Sequence, residues 1–208
     1  MTENDPAVRR FLLLHGWQNR RPEGHWQRWL AEQLTSMGHR VIYPQLPGPD
    51  EPVLDRWLDE LRRGVAGLGG SGGGGERVVV CHSLGCLLWL HAVDRFEPGE
   101  LGVDRVLLVA PPSASFILRQ SELLGFAPPV VEPARLADVR VAAGDDDPCC
   151  PEGAAQVFGL DTDVVPGGGH LAMGDGYGPW PGVLDWCLDG SKRLVGRADQ
   201  NGQGPPGR

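Results

Sequence analysis

No run of apolar side chains in the 208 residues approaches the roughly 20 needed to cross a bilayer. A basic cluster is missing too. The pairs Arg9-Arg10, Arg20-Arg21 and Arg62-Arg63 are scattered, and a net charge of −8 with a pI near 5.2 argues against a nucleic-acid partner. The opening residues Met1-Thr2-Glu3-Asn4-Asp5-Pro6 have neither the basic start nor the apolar stretch of a signal peptide, so a cytoplasmic, membrane-free protein is expected. Five cysteines, at 81, 86, 149, 150 and 187, form an odd set without a C-x-x-C, which argues against a disulfide framework. None of the six histidines stands at zinc-type spacing from a cysteine, so no metal and no cofactor is expected.

What the chain does have is one stretch around which the rest is organised. Val78 to Cys81 is an apolar, β-branched run of strand length, and a helical apolar pattern follows through Leu84, Leu87, Leu88 and Ala92. Between them His82-Ser83-Leu84-Gly85 leaves no room for a spacer. A strand that turns into a helix so abruptly holds its middle residue on a strained corner, above the C-terminal edge of a sheet. Ser83 is therefore read as a nucleophile on an elbow. Cys81 stands where the formula G-x-S-x-G has its first glycine, a position that demands a small side chain. A literal match at Gly69-Gly70-Ser71-Gly72-Gly73 has no strand before it and no helix after it, so Ser71 is read as part of a flexible surface connection spanning 67–75.

Taken in order, apolar runs predict strands at 11–14, 41–43, 78–81, 106–110 and 139–143, and a weak sixth ending at Val165. Helices are predicted over 25–37, 53–68, 152–158 and 180–188, with a short one at 116–124. Alternating strands and helices, with continuous apolar strands, imply an α/β fold in three layers. It has about six mostly parallel strands with helices on both faces and little or no lid. The expected divisions are an N-terminal extension over 1–10, one domain over 11–189 and a disordered Gly/Pro/Gln-rich tail over 190–208.

In such a sheet, functional groups collect in the loops after the strands. His15-Gly16 follows the first strand, Ser83 the third, Asp145-Asp146-Asp147 the fifth and His170 the sixth. A serine hydroxyl needs a base, and the base needs a carboxylate to fix its tautomer, so His170 and one of the three aspartates fit those roles. Asp147 precedes Pro148, which biases it to extended backbone. Strand alternation would then turn Asp146 the opposite way and leave Asp145 one strand step behind. The backbone N–H groups of Leu84 and Trp17 are the candidate oxyanion donors. His15 and His82 are read as loop-orienting groups. His25 stands between capping and substrate contact, while Trp26 and Trp180 are possible substrate contacts.

These residues resemble the small serine hydrolases of the retinoblastoma-binding and bacterial YdeN-like type, within the α/β-hydrolase superfamily. The resemblance rests on His25-Trp26-Gln27 with Trp29, His82-Ser83-Leu84-Gly85-Cys86 and Leu108-Val109-Ala110-Pro111. It continues in Asp146-Asp147-Pro148 and in Gly169-His170 followed by Gly176-Tyr177-Gly178-Pro179-Trp180-Pro181. It implies a compact hydrolase with Ser83, Asp147 and His170 as triad, acting on a small-molecule ester or amide. The alternative it leaves is a protein-interaction module that keeps the fold with little turnover.

Overall fold

The structure, a computed structural model, describes residues 8–69, 74–136 and 138–194. Six strands, β1 (Arg10–Leu14), β2 (Arg40–Ile42), β3 (Arg77–His82), β4 (Arg105–Val109), β5 (Val139–Gly144) and β6 (Asp161–Val165), form one sheet in the order β2-β1-β3-β4-β5-β6. Every pairing is parallel, with Leu14 beside Cys81, His82 beside Val109 and Gly144 beside Val165. The chain lays β2 on one side of β1 and then β3 on the other. The loops leaving β1 and β3 therefore part company at a switch point, which is where an open parallel sheet forms a crevice.

Strand side chains alternate between two cores. Leu12, Leu14, Val79, Cys81, Leu108 and Val141 face one side, and Phe11, Leu13, Val78, Val80, Leu107 and Ala142 the other. On the first side lie α2 (Leu54–Gly67) and α3 (Leu84–Arg95), with Trp57 and Leu61 fully buried. The second side carries α1 (Trp26–Ser36) and, after the short helices α4 (Pro98–Leu101), α5 (Ala114–Ile117) and α6 (Ala154–Phe158), the last helix α7 (Pro181–Leu188). This is the three-layer α/β arrangement. Among the described residues no helix is long and apolar enough to cross a membrane.

Three expectations need correction. The helix expected over 116–124 is instead α5 followed by a 3₁₀ segment at Ser121–Phe126. Ser113 accepts the Phe116 N–H and so starts the helix early, while Leu123 and Phe126 are buried at the three-residue spacing that a 3₁₀ turn aligns. The start of the expected tail packs onto the domain: Arg193 pairs with Asp161 and Asp163, and Leu194 is buried. Residues 195–208 lie outside the described residues, as does Ser71 of the glycine run. Finally, β5 ends at Gly144 and Asp145-Asp146 form a turn, so strand alternation does not govern the three aspartates.

Candidate active site

The elbow is as sharp as the sequence implies. Ser83 has φ 54° and ψ −124°, a strained conformation for a residue with a side chain, and α3 begins at the next residue. Neighbouring strands hold it there. Its N–H donates to Val109 O on β4 at 2.9 Å. The β1 loop crosses so closely that a Cβ on Gly16 would sit 2.7 Å from the Ser83 Cβ, so only glycine fits. Among the described residues, neither the Leu84 nor the Trp17 N–H donates to an acceptor in the protein, and both residues line the same cavity as Ser83. Leu84 is also the first residue of α3, where the helix dipole favours negative charge.

Opposite the elbow, the loop after β6 carries His170. Its Nε2 lies 2.8 Å from Ser83 Oγ, and its Nδ1 lies 2.9 Å from each Asp147 carboxylate oxygen. Asp147 is 2 % exposed. An Nδ1–H donated to Asp147 leaves the Nε2 lone pair for the serine proton. Burial works against a charged His170, but the hydrogen bond and charge of Asp147, helped by Cys149, outweigh it and raise its pKa above the ordinary 6.5. The other two aspartates hold the same loop. Asp145 accepts the Gly167 N–H at 2.8 Å and Asp146 the Gly169 N–H at 2.7 Å, while Asp175 accepts from His170 N and Ala172 N at 3.1 Å. Gly144 makes this approach feasible: a Cβ there would lie 2.2 Å from Gly169 O.

Three further histidines buttress the loops in neutral form. His15, fully buried, bonds Gly16 O through Nδ1 at 2.8 Å and accepts the Leu46 N–H at Nε2 at 2.9 Å. Burial pushes its pKa down to about 4. His82 donates Nε2–H to His170 O at 3.1 Å, which ties the elbow to the opposite loop. Its pKa is also lowered well below normal, by burial and then by His25 and His170. His25 caps α1 by accepting the Gln27 N–H and also lines the cavity. Burial lowers it to about 4.

A cavity of about 580 Å³ opens over Ser83, with Phe116, Leu123 and Met173 among its walls. Trp26 and Trp180 do not reach it, a correction to their expected role. Both are fully buried in the second core, edge-on to each other, and Trp26 donates its indole N–H to Leu171 O at 3.0 Å. Through that bond Trp26 braces the His170 loop. Missed in the sequence was Cys149, which lines the cavity and whose N–H donates to Asp147 Oδ1 at 2.8 Å. Its place two residues beyond Asp147, after a proline turn, was the available signal.

A model of the serine hydrolase family matches residues 11–187. Among solved structures, the ydeN gene product from B. subtilis superposes with a TM-score of 0.69 at 22% identity, covering 86% of this chain and 97% of that one. A YdeN-like protein from Pectobacterium atrosepticum gives 0.66 at 20% identity, over 88% and 90%. A carboxylesterase from the ammonia-oxidizing thaumarchaeon Nitrososphaera gargenis gives 0.52 at 14% identity, over 82% and 85%. At these identities the likeness is one of fold. Among curated proteins none matches the chain.

Proposed function

The chain belongs to the serine hydrolase family, and from that premise we propose that it cleaves a small carboxylic ester through an acyl-enzyme on Ser83. Ser83 Oγ attacks the carbonyl carbon while His170 Nε2 takes its proton. Asp147 steadies the imidazolium that forms, and the Leu84 and Trp17 N–H groups receive the tetrahedral oxyanion. Collapse of this intermediate breaks the ester C–O bond, and the leaving alcohol carries away the proton held by His170. Water, activated by the same nitrogen, then attacks the acyl-enzyme and frees the acid.

The observation that carries this reading is the continuous hydrogen-bonded line from Asp147 through His170 to Ser83, 2.9 Å and then 2.8 Å, at the floor of the cavity. The apolar walls Phe116, Leu123 and Met173 suit an acyl group, and the thaumarchaeal relative of the same fold is a carboxylesterase. The test is labelling with a fluorophosphonate probe, followed by p-nitrophenyl esters of graded acyl length. Labelling at Ser83 and turnover of at least one ester are expected. A probe that attaches to another residue, or to none, would sink the assignment.

A further inference from the structure

We propose that Asp147, Cys149 and His170 form an inhibitory site for a zinc-type divalent cation, on the side of the imidazole away from Ser83. One donor from each residue, a carboxylate oxygen, a sulfur and a ring nitrogen, lies within 4.8 Å of the other two. The donors are held together by the fold: Asp147 accepts both the His170 ring and the Cys149 N–H. Oxygen, sulfur and imidazole nitrogen are the donors of tetrahedral zinc sites, with the fourth position left to water. Bond lengths of such sites put nitrogen and oxygen about 3.3 Å apart, and nitrogen and sulfur about 3.6 Å. The His170–Asp147 contact, now 2.9 Å, has to open by only a few tenths of an ångström. Cys149 and His170 both line the cavity, which provides the way in. Sequence spacing does not signal the site because its donors come from the separate loops after β5 and β6.

The consequence for activity rests on the proposed function; the binding does not. A cation on Nδ1 uses the lone pair that a proton holds in the resting ring, so that proton moves to Nε2. The nitrogen facing Ser83 Oγ at 2.8 Å then donates instead of accepting, and the serine loses its base. Cys149 releases its thiol proton to solvent, and Asp147 coordinates as the carboxylate it already is. The cavity stays open, so kcat falls while KM is unchanged.

Metal-stripped protein is titrated with Co²⁺ and followed by absorption. A thiolate-to-cobalt band in the near ultraviolet is expected, erased by Zn²⁺, lost in Cys149→Ser and kept in Cys150→Ser. In parallel, Zn²⁺ should cut kcat for p-nitrophenyl acetate at least tenfold, reversibly with chelator. Cys149→Ser, scored against its own metal-free rate, should need at least tenfold more Zn²⁺. Should that variant fail to fold, Zn²⁺ protection of wild-type Cys149 from iodoacetamide, located by tandem mass spectrometry, reads the same contact. A cobalt band that survives Cys149→Ser overturns the site, as does a missing thiolate band with unprotected Cys149. Cobalt ligation in a protein that hydrolyses no ester keeps the site and removes the proposed function. Ester hydrolysis in a protein that ignores both metals does the reverse.

Discussion

The two loops that meet at Ser83 and His170 are held in place by different forces. The elbow is fixed sterically. Ser83 sits at positive φ between β4 and a β1 loop so close that only glycine clears it. The loop after β6 is fixed by charge: three consecutive aspartates and Asp175 each accept a hydrogen bond from the segment 167–172. Packing in a dense interior tolerates little displacement. Exposed carboxylate–amide bonds are individually worth about a kilocalorie and can be loosened one at a time. The nucleophile is thus the rigid partner, and the base is the adjustable one.

The largest effect should come from removing the rigid partner's chemistry. Ser83→Ala should abolish fluorophosphonate labelling and cut kcat by about 10⁶-fold, the scale seen when a triad serine is lost. Ser71→Ala should change neither, and a dead Ser71 variant would return the nucleophile to the glycine run. Next comes the charge on the adjustable side. Asp147→Asn should lower kcat by about 10⁴-fold. It should also move the pH profile. Because Asp147 raises the His170 pKa, kcat/KM in the wild type should rise with pH through a midpoint above the ordinary 6.5. Without the carboxylate that midpoint should fall. A wild-type midpoint below 6.5 would remove Asp147 from its electrostatic role.

The same contrast explains what the sequence made legible. Strands buried on both faces must be continuous apolar runs, so β1, β3 and β4 stand out without help from context. The elbow is equally local, because strand, serine and helix are contiguous. The acid loop is not local. Asp147 was singled out by treating it as extended strand with alternating side chains, but β5 ends at Gly144. The residue named does lie against His170, although the alternation that was to separate it from Asp145 and Asp146 does not apply. In their turn Asp145 and Asp146 are free to face the neighbouring loop, and their anchoring roles depend on a register no pattern in the chain records. Trp26 and Trp180 failed for a related reason: an aromatic beside a loop motif does not reveal which side of the loop it packs.

A smaller substitution tests the steric half directly. Gly16→Ala places a Cβ 2.7 Å from the Ser83 Cβ and 3.1 Å from Oγ, so the β1 loop, the elbow or both must shift. Misplacement of a reacting atom by about 1 Å costs roughly 10²-fold, and kcat should fall by that order. The Trp17 oxyanion donor moves with the same loop, so slower acylation should accompany the loss. Unchanged kinetics in a folded variant would mean that the elbow is softer than its packing implies.

A smaller effect still, and the one that separates the two loops most clearly, belongs to Asp146. Its Oδ1 holds the Gly169 N–H at 2.7 Å, one residue before the base, yet it touches neither His170 nor the cavity lining. Asp146→Ala removes a charge-assisted bond at the surface, so the loop should sample positions in which Nε2 drifts from Ser83 without losing its protonation chemistry. At about 1 kcal/mol for such a bond, kcat should fall by about five- to tenfold, with the pH midpoint unmoved because Asp147 still faces the ring. Asp146→Asn keeps a side-chain oxygen and should recover most of the loss. Asp145→Ala should cost less, about two- to threefold, since Gly167 lies three residues from His170 and Gly169 remains anchored. Burst kinetics with p-nitrophenyl acetate measure all three. If Asp145→Ala proved more damaging than Asp146→Ala, the loop would be pivoting at Gly167 as one body, and the base would be held as rigidly as the nucleophile.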